Sequence, residues 1–357
     1  MTQKGQQNHF NVKFLKGYGF GINVKDNSTL ILKNCYDPFS EPKTEEWNIR
    51  NLPYEKIVIS GKGYISTEAL SLLSNNNRNV ILLDNYGKPV TFLNPVTESL
   101  TASRYRMGQY DTFRDESKRQ YLARQIVKAK LDSQIKFLEL TESPEVKDGI
   151  ELIRAIKKEI LSSANPIKYE AKVSRNYFKQ FVKLIPEKYG FISRNSSQIR
   201  IAKNQAPDVI NALLNYGYTV LAGEVSKFIN GLGLDAYYGF YHKSHTGFQP
   251  LVYDMIEPFR WLVDYSVFKI VNHKDSRYRI KLKEYKKHSK TGNVLIEYDL
   301  IRRFLELLER NFQKERRYEF RHGAKTKDGL KSVQEITVAK IMVQNLAEYC
   351  TGKQKEF

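Results

Sequence analysis

Apolar and polar positions change period once along this chain. Before about residue 95 the apolar residues come in short aliphatic runs, at 29–32, 55–60 and 80–83, the pattern of strands. Turn formers separate them: Lys25-Asp26-Asn27, Asp37-Pro38, Gly61-Lys62-Gly63 and Asn85-Tyr86-Gly87. One helix is predicted among the strands. Ser66-Thr67-Glu68 opens it, Ala69, Leu70, Leu72 and Leu73 give it an apolar side, and Asn75-Asn76-Asn77 closes it. After Pro95 the spacing becomes helical. Leu122, Ile126 and Ala129 sit at i, i+4, i+7, and Leu131, Ile135 and Leu138 repeat the spacing. Ile153, Ile156 and Ile160 follow, with Pro144 and Pro166 as breaks. Helical periodicity continues through 169–184, 208–229, 251–270, 298–312 and 333–349. The expected class is α+β: an N-terminal β-rich domain, 1–97, then a C-terminal all-α-helical domain, 98–357. No repeat with a period of 20–50 residues is present.

Charge narrows the choice of partner. Lys and Arg total 58 against 39 Asp and Glu, a net charge of +19. Such an excess points to a polyanion, nucleic acid first. No apolar run of membrane-spanning length occurs, and the N-terminus MTQKGQQNHF is not a signal peptide. Cys35 and Cys350 are the only cysteines and suggest no disulfide scaffold, so a reducing cytoplasm is expected. The chain has 23 Tyr and 19 Phe against 2 Trp, and Tyr beside Lys and Arg suits contact with phosphates and bases. The segment 274–290 concentrates eight basic and two acidic residues around Tyr278 and Tyr285. It reads as a strand pair or a loose arm, with Lys281, Lys283, Lys286 and Lys287 as candidate DNA contacts. Arg302-Arg303 and Arg316-Arg317 are expected on a helix. A charge run is as often only a solvated face, so the whole-chain excess carries this argument.

The chemistry-bearing residues lie in 237–260, YYGFYHKSHTGFQPLVYDMIEPFR. It holds His242 and His245, then Asp254 and Glu257 three apart, then Pro258. On a helix that buries Leu251, Met255 and Phe259, both carboxylates point to one side. An imidazole and carboxylates brought together suit a divalent cation, Mg or Mn. The plainer alternative is two solvated acids and a structural histidine. In 169–184, Glu170, Ser174 and Tyr177 share one helical face, with Arg175 beside it, while Val173, Phe178 and Phe181 can turn to the core. Polar residues of 211–218 point one way on another helix. There is no GxxxxGK[ST], HExxH or GxSxG motif, and no tyrosine-recombinase set stands out.

These segments, in this order, carry a resemblance. Glu170-Ala171 with Ser174-Arg175-x-Tyr177-Phe178, then NALLNYGY at 211–218, GFYH at 239–242 and YDMIEPFR at 253–260 resemble the CRISPR-associated spacer-acquisition integrase family, the first-numbered Cas protein. In the N-terminal half, Ser66-Thr67-Glu68-Ala69-Leu70, Val80-Ile81-Leu82-Leu83-Asp84 and Gly87-Lys88-Pro89-Val90 look like the family's β-domain signature. The resemblance covers roughly residues 10–320, and the tail after about 325 matches no motif. It implies a β-domain that carries dimer contacts and a helical catalytic domain. It implies a metal-dependent endonuclease and integrase that inserts short DNA fragments into a repeat array. The metal, Mg or Mn, would be held by Glu170, His242 and Glu257, which would be the catalytic set. Asp254 would be a secondary acid and Arg175 a phosphate contact. His245 has no family counterpart. Expected partners are double-stranded DNA, a second copy of the chain and the second-numbered Cas protein, with no membrane. Two other readings stand beside it: a DNA-binding homologue that tethers without catalysis, and an unrelated basic RNA-binding protein.

Overall fold

The computed structural model describes the chain except residues 1–11, 35–40, 55, 77, 84–88, 94–99, 163–165, 195–205, 244, 246–247 and 320–329. Within elements, the side chains of 12, 16, 89, 92, 100, 160–162, 166–171 and 319 also lie outside the description. The chain divides into two compact units, Met1–Val96 and Thr97–Phe357.

The first unit is a six-stranded mixed sheet. Its strands are β1 (Val12–Asp26), β2 (Thr29–Asn34), β3 (Lys43–Asn48), β4 (Lys56–Ile65), β5 (Asn79–Leu83) and β6 (Pro89–Leu93), in the order β3-β2-β1-β4-β5-β6. β1 pairs antiparallel with β2 and parallel with β4, and β4 pairs parallel with β5. A parallel step needs a crossover, and the helix α1 (Thr67–Asn75) supplies it between β4 and β5. Ser66 caps α1 by accepting the Ala69 amide at 3.1 Å. Leu15, Ile22, Leu30, Ile57, Ile59, Ala69 and Leu73 form the core between sheet and helix.

Two expectations change here. The long β1 is absent from the sequence reading, because glycines at 17, 19 and 21 interrupt its apolar pattern. Gly61-Lys62-Gly63 is not a turn but lies inside β4, paired with β1. Gly61 has φ +110°, and a Cβ there would stand 2.3 Å from the Gly17 carbonyl oxygen. Glycine is needed so that the two strands can approach at a register shift. The turn formers at 37–38 and 85–87, and Cys35, fall outside the described residues.

The second unit is helical. It contains α2 (Leu100–Arg114), α3 (Glu116–Leu140), α4 (Lys147–Ser162), α5 (Pro166–Lys183), α6 (Val209–Leu232), α7 (Pro250–Ile256), α8 (Trp261–Val271), α9 (Tyr298–Gln313) and α10 (Glu335–Cys350). α6 is buried along most of its length, as a central helix must be. No described helix is long and apolar enough to cross a membrane. The α+β class holds, a β-rich N-terminal part followed by a helical C-terminal part, with small strand pairs added. β7 (Tyr285–Lys287) pairs with β8 (Val294–Ile296), and β9 (Glu315–Glu319) with β10 (Leu330–Gln334). The basic segment 274–290 is thus partly a strand pair, led by 3₁₀ turns at Ser276–Tyr278 and Leu282–Glu284. Arg316 and Arg317 lie on β9, not on a helix. The unmatched tail belongs to the fold. α10 packs on α2 and α6 and buries Val338, Ala339, Val343, Leu346 and Ala347.

The stretch 251–270 is not one helix. Pro258 has no amide hydrogen and its ring obstructs the preceding turn. The chain answers with a 3₁₀ turn at Glu257–Phe259 between α7 and α8.

Candidate active site

His242 lies in the loop between α6 and α7, and that loop is built around one carboxylate. Asp254 on α7 is fully buried. Its Oδ2 accepts the amides of Phe240 at 2.6 Å and Tyr241 at 3.0 Å. Its Oδ1 accepts the His242 amide at 2.9 Å and meets His242 Nδ1 at 2.7 Å. A buried carboxylate is costly unless its oxygens are saturated with donors, and here three consecutive amides do most of that work. Because the carboxylate is already an acceptor, the ring bond assigns the hydrogen to Nδ1. Nε2 then carries the lone pair and lies 3.8 Å from Glu257 Oε1. The loop can wrap this tightly only because residue 239 is glycine. A Cβ there would stand 2.6 Å from Pro250 Cβ and 2.7 Å from Asp254 Oδ2.

α2 fixes the start of the same loop. The buried Gln109 amide donates to the carbonyls of Asp235 and Tyr238, each at 2.8 Å, and accepts the Asp235 amide. The Tyr110 hydroxyl donates to Asp235 at 2.6 Å. On the far side, His245 is exposed and stacks on Phe248, with centroids 4.5 Å apart, and Phe248 stacks on Tyr253.

Glu257 is also buried, at 3% exposure, but side chains hold it rather than amides. Arg260 Nε donates to Oε1 at 2.9 Å. Lys130 Nζ, from α3, lies 2.8 Å from Oε2. This second contact is a close charge pair, and among the described residues Oε2 accepts no hydrogen bond of good geometry. Burial pushes the Glu257 carboxyl up, but the Arg260 guanidinium and the Lys130 ammonium outweigh it and bring it down to about 2. Asp254 and Glu257 are one turn apart, as predicted, yet neither is a solvated surface acid.

Behind Glu257 the charges continue inward. The Arg260 guanidinium lies 4.6 Å from the centre of the Tyr218 ring, and Arg194 lies 5.4 Å from it. Arg194 is tied to Asn211 and Asn215 on α6, at 2.9 and 2.6 Å. The Tyr218 and Tyr177 hydroxyls each donate to the buried Asp264 at 2.5 Å. Burial raises the Asp264 carboxyl to about 6, against the pull of both hydroxyls and both arginines. Tyr177 is therefore a core residue joining α5 to α8, not part of an exposed functional face.

Among the described residues no three His, Cys, Asp or Glu groups converge as a metal centre. The site pairs His242 with Glu257. Glu170 lies on α5, but its side chain is outside the described residues. Arg175 is exposed on α5, and Lys281, Lys283, Lys286 and Lys287 are exposed in the basic segment. Sequence reasoning misses Lys130, Gln109, Arg194, Arg260 and Asp264. Two carry a signal: Arg260 follows Glu257 by one turn, and Lys130 interrupts the buried stripe of Ile126, Val127, Leu131 and Gln134.

A sequence profile described as CRISPR associated protein Cas1 matches residues 16–310. A Cas1 protein of Methanobrevibacter ruminantium is 30% identical over 279 residues, covering 73% of this chain and 78% of the relative. A protein of Archaeoglobus fulgidus named CRISPR-associated endonuclease Cas1 is 30% identical over 282 residues, 72% of this chain and 77% of the relative. Among solved structures, a casposase bound to integration product superposes with a TM-score of 0.78 at 26% identity, covering 97% of this chain and 92% of that one. A Cas1 protein from Thermotoga maritima gives 0.75 at 18% identity, over 97% and 98% of the two chains, a likeness of fold. With the profile spanning most of its length, this chain belongs to the Cas1 family.

Proposed function

We propose that the chain is a DNA endonuclease and integrase that inserts short DNA fragments into a repeat array by phosphoryl transfer. The divalent cation, Mg or Mn, is held by Glu170, His242 and Glu257. One observation carries this reading: His242 Nε2 lies 3.8 Å from a buried carboxylate, Glu257, whose Oε2 accepts no well-aligned hydrogen bond among the described residues. The depressed carboxylate is a donor that Mg and Mn take, and an imidazole lone pair suits a transition metal such as Mn better than Mg, so the residues fit the group. Glu170, on α5, completes the set by family resemblance. When bound, the cation supplies positive charge to a phosphoryl oxygen of the scissile bond.

The chain's own residues do the rest. Asp254 holds the ring of His242 in one tautomer and one direction. Arg260 fixes Oε1 of Glu257 and keeps the carboxyl ionised. Arg175 and the lysines at 281, 283, 286 and 287 bind phosphates along the duplex. The names of two relatives support the DNA reading: one is called an endonuclease, and the casposase was solved with an integration product. Pairing through the N-terminal domain, chemistry in the helical domain, association with the second-numbered Cas protein and action in the cytoplasm complete the proposal.

The test is strand transfer of a short duplex into supercoiled plasmid, with Mn or Mg and with chelator. Transfer should need the metal and vanish in His242→Ala and Glu257→Gln. Transfer that persists in chelator would sink the reading. Tight DNA binding with no product under any metal would leave the tethering alternative.

A further inference from the structure

The helical unit holds a cavity of about 380 Å³, within the range of small-ligand sites. One wall is a face of α3, where Lys128, Asp132 and Lys136 recur at every fourth position and so line up along the helix. Another is α10, through Met342 and Asn345. Phe259 and Trp261 form a third, and Arg316 and Tyr318, two apart and so on one side of β9, complete it. Positive charge is in surplus. Asp132, the only acid of the lining among the described residues, is already paired with Lys157 from α4. Arg316 pairs with Glu335 at 3.3 Å, and its guanidinium lies 5.7 Å from the centre of the Tyr318 ring. Lys128 and Lys136 add two exposed charges that no acid of the lining offsets.

Rings and cations in one cavity suit a ligand with a planar aromatic part and an anionic part. The amides of Gln125 and Asn345 can meet an edge that both donates and accepts. A nucleotide has all three features. The location adds a constraint. Ala129 and Pro258 line the cavity, and the residues next to them, Lys130 and Glu257, are ion-paired in the active site. Cavity and site are thus neighbours across one seam between α3 and the 257–259 turn. None of His242, Asp254 and Glu257 lines the cavity, so its occupant is not the phosphate being transferred. We propose that this cavity is a second nucleotide site. It takes one nucleoside monophosphate, with the base against Trp261 and Tyr318 and the phosphate on Lys128 and Lys136. A free nucleotide and the terminal nucleotide of a strand share this chemistry.

The test uses the full chain and dAMP as the probe. Trp47 and Trp261 are the only tryptophans, and Trp47 lies on β3 of the first unit, so Trp47→Phe leaves Trp261 as the sole indole reporter. Adding dAMP should change its emission saturably. Lys128→Glu combined with Lys136→Glu, both at exposed positions, should weaken dAMP binding roughly tenfold or more with the melting temperature unchanged. Calorimetry on the parent chain and the double variant carries the same comparison if Trp47→Phe does not fold. A 5′-phosphorylated hexanucleotide of the same base that binds roughly tenfold more tightly than dAMP would assign the site to a strand end. One that binds no better would assign it to the free nucleotide. No saturable binding of dAMP, or equal binding by the double variant, would overturn the proposal. So would full competition by tripolyphosphate with none by adenosine, since that describes an anion patch without a place for a base.

Discussion

Asp254 and Glu257 sit one turn apart, both buried, and the protein treats them in opposite ways. Asp254 is saturated by three backbone amides and a ring nitrogen. Glu257 is balanced by two side-chain cations and keeps one oxygen without an aligned donor. Amides cannot leave while the loop is folded, but side chains can. The first carboxylate is therefore a fixture that orients His242, and the second is held by side chains that can rearrange. A third setting completes the contrast. The lysines of 274–290 are exposed, and Lys286 has only a surface pair with Glu297 at 3.4 Å, a type worth little in water.

Glu257→Gln and His242→Ala should have the largest effect. Strand transfer should fall by roughly 10²–10³-fold or more, while duplex affinity stays within about twofold because the surface lysines remain. Melting curves run in parallel would show that the variants are folded. Full metal-dependent transfer in both would erase the distinction drawn for Glu257.

Asp254→Asn should cost less, roughly 10–100-fold in transfer. The amide keeps one acceptor but turns a donor toward groups that already donate, so the His242 ring loses its fixed direction. A loss as large as that of Glu257→Gln would mean that Asp254 does more than orient.

Reversing Lys281, Lys283, Lys286 and Lys287 to Glu should weaken duplex binding on every sequence alike. The salt dependence should flatten by about 0.9 in log–log slope for each phosphate that the variant no longer neutralises. Turnover at saturating DNA should stay near the parent value. An unchanged slope removes the segment from the DNA surface.

The smallest effect is on stability against pH. Asp264 titrates near 6 in the fold and at 3.8 as an ordinary aspartate. Between those values the folded state binds more protons than the unfolded one, so stability falls as pH rises from about 4 to 6. The slope belongs to one residue and amounts to about 2–3 kcal/mol across the window. Denaturant melts of Asp264→Asn should lose it, and a parent whose stability is flat from pH 4 to 6 would contradict it.

The sequence reveals what repeats locally and hides what packing decides. Helices α3 to α6, α9 and α10 show in their apolar spacing, and Ser66 announces α1. His242, Asp254 and Glu257 can be found because they fall within one short segment. The strand β1 is masked by its glycines, whose use is close approach to β4 and not a turn. Gln109 is invisible because its partners lie 126 and 129 residues away, and nothing near it marks it as a loop clamp. Lys130 looks like one charge among many on a basic chain, although its position in an apolar stripe is readable. The spacing of Tyr177 from Glu170 points to a polar face, but a partner on α8 draws its hydroxyl into the core.

Residue 239 has a consequence for mutation. Any side chain there would place a carbon between Pro250 and the carboxylate that holds His242. Third-position changes of a glycine codon keep glycine, and every other single-base change gives a residue that carries such a carbon, or a stop. The codon thus has no harmless missense neighbour, although the residue has no side chain of its own. In a random library screened for DNA integration it should be among the positions that recover only the parental residue, and alanine, the mildest change on paper, should be lost with the rest.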